Sequence, residues 1–221
     1  MRKYLKIFTI LISGLFATMV KAEPIKIGPA ELSFNAGYVS QYVWRGEDQN
    51  DSSGAPSFGA DLSLPYNLYL GTWTSSASWA TDMNQEVDIY GGISPSFGDI
   101  GFDLGYIQYR YPGADENNFG EFYLGASYAP EEKPYSFGVT YSDDDTSKAE
   151  NIEYSVSYGV LSIAYGDYDT GDSATSRNYT NVSLSKEYSG FEFGLTYTDV
   201  DWDTANTYRD DFLVLSISKS L

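Results

Sequence analysis

Leu32-Ser33-Phe34-Asn35-Ala36-Gly37-Tyr38-Val39-Ser40-Gln41-Tyr42-Val43-Trp44 is the stretch that decides the fold class. Its even positions carry Leu32, Phe34, Ala36, Tyr38, Tyr42 and Trp44, and its odd positions Ser33, Asn35, Gly37 and Gln41. Alternation with a period of two marks a strand with one apolar, aromatic face and one small or polar face. Val39 and Val43 break the rule. On this reading a strand runs through to Trp44, and Arg45 follows its aromatic end with the parity of Gln41.

The same pattern recurs along the chain. Phe58, Ala60, Leu62 and Leu64 alternate with Ser57, Gly59, Asp61 and Ser63, and Phe102, Leu104 and Tyr106 with Gly101, Asp103 and Gly105. Further stripes are Val87, Ile89 and Ile93; Phe122, Leu124 and Ala126; Phe137, Val139 and Tyr141; Ile152, Tyr154 and Val156. They continue through Leu161 and Ile163, Val182 and Leu184, and Phe191, Phe193 and Leu195, ending with Leu213, Leu215 and Ile217. Leu68 to Ser78 is less regular and is placed as a strand because it lies between two turns. The total is about twelve strands, give or take two. Connections tend to alternate between short links, such as Pro65-Tyr66-Asn67 and Glu187 to Gly190, and longer polar ones, such as Gly46 to Ala55 and Asp169 to Asn178. The link Thr81 to Gln85 is the exception, short in a long position. Short turns on one rim and longer loops on the other are the layout of an outer-membrane barrel. The expected fold is therefore all-β, an antiparallel transmembrane barrel. A soluble β-sandwich alternates too, but Gly- and Ser-rich polar faces and the 21 tyrosines favour the barrel.

The first residues read as an export signal. Arg2, Lys3 and Lys6 precede an apolar run from Ile7 to Val20, and Val20-Lys21-Ala22 suits signal peptidase. The expected division is residues 1–22 as a cleavable signal peptide and 23–221 as the barrel; a retained N-terminal anchor is the alternative. Four of the 13 basic residues lie in the signal and all 31 acidic ones beyond it, so nine basic against 31 acidic side chains leave −22 on the remainder. That charge argues against nucleic acid, which needs a basic surface. It also argues against polybasic docking on anionic lipid.

The chain has no histidine and no cysteine. Ser-His-Asp and Cys-His machinery cannot be assembled, and zinc sites of the usual type are excluded. Glu86 and Asp88 sit two apart on one strand face, as in any alternating strand, and do not by themselves indicate a glycosidase pair. No catalysis and no cofactor are expected. Asp199, Asp201 and Asp203 resemble the start of a calcium loop, but Thr204 stands where that motif needs Gly and Asp210 where it has Glu.

Ser40-Gln41-Tyr42-Val43-Trp44-Arg45-Gly46 resembles an element of a family of outer-membrane porins called TorF-like, earlier treated as conserved proteins of unknown function. Leu68-Tyr69-Leu70-Gly71-Thr72-Trp73, Glu86-Val87-Asp88-Ile89-Tyr90-Gly91-Gly92 and Gly105-Tyr106-Ile107-Gln108-Tyr109-Arg110-Tyr111-Pro112 are similar to three further elements of it. The likeness weakens after about Asp143. It implies a barrel and a provisional porin label, and no substrate.

Parity places Arg45, Asp61, Glu86, Asp88, Asp103, Glu121, Glu153 and Glu192 inward. Arg45 is expected near the outer mouth, either in a structural ion pair or meeting an incoming anion, with the ion pair favoured. The carboxylates would attract cations within a pore, or else be tied up with Arg45 and tyrosine hydroxyls. The first expectation for function is passive diffusion of small solutes or ions across the bacterial outer membrane, with a preference for cations. The alternative is a closed structural or surface-binding barrel whose loops meet lipopolysaccharide, with a lumen filled by Tyr69, Trp73, Tyr109, Tyr111 and Tyr123. A soluble secreted β protein is a third, weaker reading. The residues set no oligomeric state.

Overall fold

The computed structural model describes residues 23–204 and 208–221. The expected signal peptide lies outside the described residues. In chain order the strands are β1 (Ile25–Ile27), β2 (Ala30–Val39), β3 (Val43–Trp44), β4 (Glu47–Asp48), β5 (Ala55–Ser63), β6 (Leu68–Ser75), β7 (Glu86–Ile93) and β8 (Ser96–Phe97). They continue with β9 (Ile100–Arg110), β10 (Phe119–Tyr128), β11 (Tyr135–Asp144), β12 (Glu150–Tyr158), β13 (Leu161–Asp169), β14 (Arg177–Tyr188), β15 (Phe191–Trp202) and β16 (Asp211–Ser220).

Twelve of these, β2, β5, β6, β7 and β9 to β16, pair antiparallel with their neighbours in a continuous ring. The ring closes where β16 meets β2, from Ser216 opposite Val39 to Ser220 opposite Asn35. On its other side β2 pairs with β5 along its length, from Glu31 opposite Ser63 to Val39 opposite Ala55. Closure leaves no exposed edge on the ring, which is how a chain without disulfides can hold an all-β structure in lipid. The expected fold class, an antiparallel barrel of about twelve strands, is the one found, closed and with twelve.

The barrel is inside out. Phe34, Phe58, Leu70, Ile89, Leu104, Phe122, Leu124, Phe137, Leu184, Leu195, Leu213 and Leu215 stand exposed on the outer wall. The opposite parity carries Gly, Ser, Thr, Asn, tyrosine and carboxylates into the lumen. Apolar surface of that extent is stable against hydrocarbon and not against water.

Several strand limits differ from the sequence reading by a few residues, and two of the differences matter most. The strand beginning at Ala30 ends at Val39 and not at Trp44, because the chain turns into the lumen at Ser40. β6 ends at Ser75 and not at Ser78, so the loop that follows runs from 76 to 85 and the alternation of long and short connections is restored. Among the described residues, the loops 40–54, 76–85, 111–118, 145–149 and 170–176 gather at one rim, and the short turns, β1 and Leu221 at the other.

Candidate functional site: a hairpin turned into the lumen

The loop between β2 and β5 folds inward. Within it β3 and β4 form a small hairpin, Val43 opposite Asp48 and Trp44 opposite Glu47. Arg45 and Gly46 make its two-residue turn with φ of 47° and 78°. Positive φ at both central positions is the geometry of a type I′ turn, whose twist matches a hairpin. Glycine at 46 is required twice over. Its φ is left-handed, and a Cβ there would lie 2.8 Å from a Val200 methyl and 3.1 Å from the Tyr179 Cβ. The base of the hairpin is tied by the Gln49 amide donating to the Tyr42 carbonyl at 2.7 Å and by Gln41 Nε2 donating to Asp48 Oδ2 at 2.9 Å.

The hairpin tip spans the bore. Arg45 donates from Nη1 and Nη2 to the two oxygens of Glu121 on β10, at 2.5 and 2.8 Å, and both side chains are buried. Arg177, the first residue of β14, donates from Nε to the Arg45 carbonyl at 2.6 Å and from Nη2 to Glu47 at 2.8 Å. Both guanidinium groups lie over the Tyr168 ring, at 5.0 and 4.9 Å. The Trp44 ring meets Tyr109, Phe119 and Tyr168 edge-on, at 5.6 to 6.2 Å between centroids. Tyr42 donates its hydroxyl to Glu86 at 2.8 Å and packs edge-on against Trp73. Two apolar clusters therefore fill this half of the lumen. One is built on Val43, Tyr168, Tyr179, Val200, Phe212 and Val214, the other on Ile107, Tyr109, Tyr111 and Tyr123, and Trp44 packs against both.

Electrostatics follow from burial. Burial works against the charge on Arg45, but the adjacent Glu121 carboxylate outweighs it and holds the guanidinium pKa above its ordinary value. Burial, together with the nearby Glu86 and Asp88 carboxylates, pushes the Tyr42 phenol well up, so it stays a donor. A bidentate pair this deep adds little net stability, but removing one partner strands the other charge.

The expected inward residues are all found on the lumen side. Asp61 accepts from the Tyr90 hydroxyl at 2.5 Å and from Asn35 at 3.3 Å. Asp103 accepts from the Tyr69 hydroxyl at 2.7 Å, and that hydroxyl also contacts the Tyr123 hydroxyl. Glu153 accepts from Tyr179 at 2.9 Å. Glu192 sits near the short-turn rim, well away from the hairpin. Glu86, Asp88, Glu121 and Arg45 are brought together at the hairpin. Arg45 reaches the lumen by a route the sequence reading did not anticipate, from the tip of an inserted hairpin and not from a strand end. Tyr42 and Trp44, expected on the apolar outer face, point into the lumen for the same reason. Arg177 was hidden within a segment expected to be loop. Its parity with Tyr179, opposite Val182 and Leu184, is the signal that finds it once the strand is begun two residues earlier.

Glycines seat the inward tyrosines. Gly71 lies directly opposite Tyr90, Gly105 opposite Tyr123 and Gly166 opposite Tyr179, and in each case a Cβ would collide with the tyrosine ring. The rings lie flat over the neighbouring strand, which lets large side chains fit inside a twelve-strand bore.

Toward the short-turn rim the wall from β11 to β2 changes character. Apart from Glu192, its inward positions include Ser136, Gly138, Ser155, Ser157, Ser162, Ala164, Ser183, Ser185, Gly194, Ser216, Ser218, Ser33, Asn35 and Gly37, and most are at least partly exposed. Small, mostly hydroxyl-bearing side chains leave that half of the lumen partly exposed to solvent.

Comparison with known proteins agrees with this architecture. Among curated proteins none matches in sequence. Among solved structures the barrel is similar to the KdgM porin, with a TM-score of 0.60 at 13% identity, covering 86% of this chain and 99% of that one. It is also similar to the NanC porin, with a TM-score of 0.50 at 12% identity, covering 86% and 97%. These likenesses concern the fold. Residues 22–220 match the model of a family described as bacterial protein of unknown function (Gcw_chp), and the chain belongs to that family. The TorF-like name suggested by the motifs is not the name under which this match falls.

Proposed function

We propose that the protein is an outer-membrane channel for passive diffusion of small solutes or ions, constricted by its own first loop and preferring cations. The observation that carries this reading is the inserted hairpin, which narrows one half of a barrel whose other half is lined by small hydroxyl side chains. A barrel of about twelve strands lies between filled eight-strand barrels and open ones of sixteen or more. An inserted loop is then what sets its bore. Cation preference rests on charge. Asp61, Glu86, Asp88, Asp103, Glu121, Glu153 and Glu192 face the lumen, while Arg45 and Arg177 are the basic side chains carried into it among the described residues. Sieving by width and by this field is the mechanism, with no reaction and no cofactor.

In this reading residues 1–22 are removed on export, the apolar belt meets outer-membrane lipid, and the acidic long loops face outward beside lipopolysaccharide. The porin label of the KdgM and NanC structures supports the channel. One observation favours a second reading, a closed structural or binding barrel: Tyr109, Tyr111 and Tyr123 are buried across the bore with Trp44. The two separate in a planar bilayer. Refolded mature chain, checked by heat-modifiable mobility on a gel, should give discrete current steps and a cation-selective reversal potential in a salt gradient. A folded, inserted and silent barrel would establish the second reading.

A further inference from the structure

The hairpin contacts leave one carboxylate unmatched. Asp88 is 6% exposed and its Oδ1 has no hydrogen-bond partner. Of the donors near the hairpin tip, the Tyr42 hydroxyl goes to Glu86, and the Tyr109 hydroxyl and Arg45 Nη1 and Nη2 go to Glu121; Arg45 Nε is buried without a partner. Its charged neighbours, Glu86 and Glu121, are of its own sign. Directly across the sheet from Asp88 stands Trp73, whose buried indole Nε1 likewise has no partner. An orphan acceptor and an orphan donor thus occupy facing positions beside the hairpin, where Glu86, Asp88 and Glu121 cluster and the Arg45 guanidinium is paired with Glu121.

A buried polar atom without a partner costs about 1–3 kcal/mol, and more when charged. An occupant that relieves both orphans must bring positive charge to Asp88 and an acceptor to Trp73. A hydrated monovalent cation does both: the ion meets the carboxylate, and one of its waters accepts from the indole. A divalent ion held by several carboxylates is disfavoured, since among the described residues no group of three acidic side chains has metal-binding geometry.

We propose that Asp88, with Trp73 and Glu86, forms a binding point for a partly dehydrated monovalent cation at the level of the hairpin, and that Asp88 sets the channel's selectivity. The proposal rests on the channel reading for its role in selectivity, and on the site geometry alone for binding. Glu121, already paired, and Glu192, remote from the hairpin, contribute far less.

Two measurements test it on the folded mature chain. Thallium(I), a potassium surrogate and heavy-atom quencher, should quench part of the tryptophan fluorescence saturably. Asp88→Asn should abolish that saturable part, Glu192→Gln should keep it, and Trp73→Phe should remove the signal. In a potassium chloride gradient Asp88→Asn should lower the cation-to-anion permeability ratio about threefold or more, against little change for Glu192→Gln. Quenching that is absent, or unchanged in Asp88→Asn, overturns the site. A conducting Asp88→Asn channel with unaltered reversal potential overturns its role in selectivity. A silent wild-type barrel that still binds thallium at Asp88 removes the channel reading and keeps the site.

Discussion

The two halves of the lumen are built on opposite principles. At the long-loop half the bore is crossed by Val43 to Asp48 and packed with Trp44, Tyr109, Tyr168, Tyr179 and Phe212, tied by two arginine–carboxylate pairs. At the short-turn half, from β11 round to β2, the wall is mostly Ser, Gly and Ala, with Asn35 and Glu192 among them and, among the described residues, no such cluster. One strand often contributes to both: β14 presents Arg177 and Tyr179 to the hairpin and Ser183 and Ser185 to the short-turn half. Strand number thus sets the outer dimension of this barrel, while one loop sets what remains of its bore.

The largest expected effect comes from erasing the difference. Val39 and Ala55 are cross-strand partners, so a two-residue turn can replace residues 40–54 without opening the β2–β5 ladder. The shortened barrel should still fold, by heat-modifiable mobility. A second break leaves the hairpin in place but strips its anchor. Arg45→Ala strands Glu121 in a buried site and should cost about 3–5 kcal/mol, read from urea unfolding in detergent or lipid. Arg45→Lys should recover only part of this, because a lysine cannot grip both carboxylate oxygens.

Smaller effects sharpen the boundary between the halves. Gly46→Val places a side chain against Val200 and Tyr179 at a left-handed φ, and should destabilise by about 1–3 kcal/mol. Faster hydrogen exchange at Val43 and Trp44, with the barrel strands unchanged, would locate the effect in the hairpin. At the smallest end, Ser155→Ala in the short-turn half should change unfolding free energy by no more than about 0.5 kcal/mol. A large loss there would mean that half is packed, against the picture drawn above.

Much of the barrel was legible because its rule is local. Period-two alternation and turn residues report strand after strand, and the inward parity of Asp61, Asp103, Glu121 and Glu192 follows from counting. The hairpin was not legible for a physical reason. Gln41 to Trp44 keep the alternation of the strand before them, so nothing in the pattern shows that the chain has left the wall. Val39 and Val43 were the visible signs, apolar side chains on the polar parity, and Val43 proves to be hairpin core. Arg45-Gly46 is also a legitimate type I′ pair, although it lacks the usual Asn-Gly signature. The segments carrying the family resemblance converge on this place: Tyr42 meets Glu86 and Trp73, and Trp44 meets Tyr109. Phe212, Val214 and Ile107 illustrate the converse. Apolar residues on the lumen side look like exceptions until there is a plug for them to pack against.

The most direct test is single-channel conductance of the barrel, residues 23–221, and its loop-replaced form, in the same bilayers and the same salt. If the hairpin sets the bore, small steps are expected for the first and steps several-fold larger for the second, because the remaining half of the lumen is lined by small side chains. Equal conductance in the two would contradict it, placing the resistance elsewhere in the lumen.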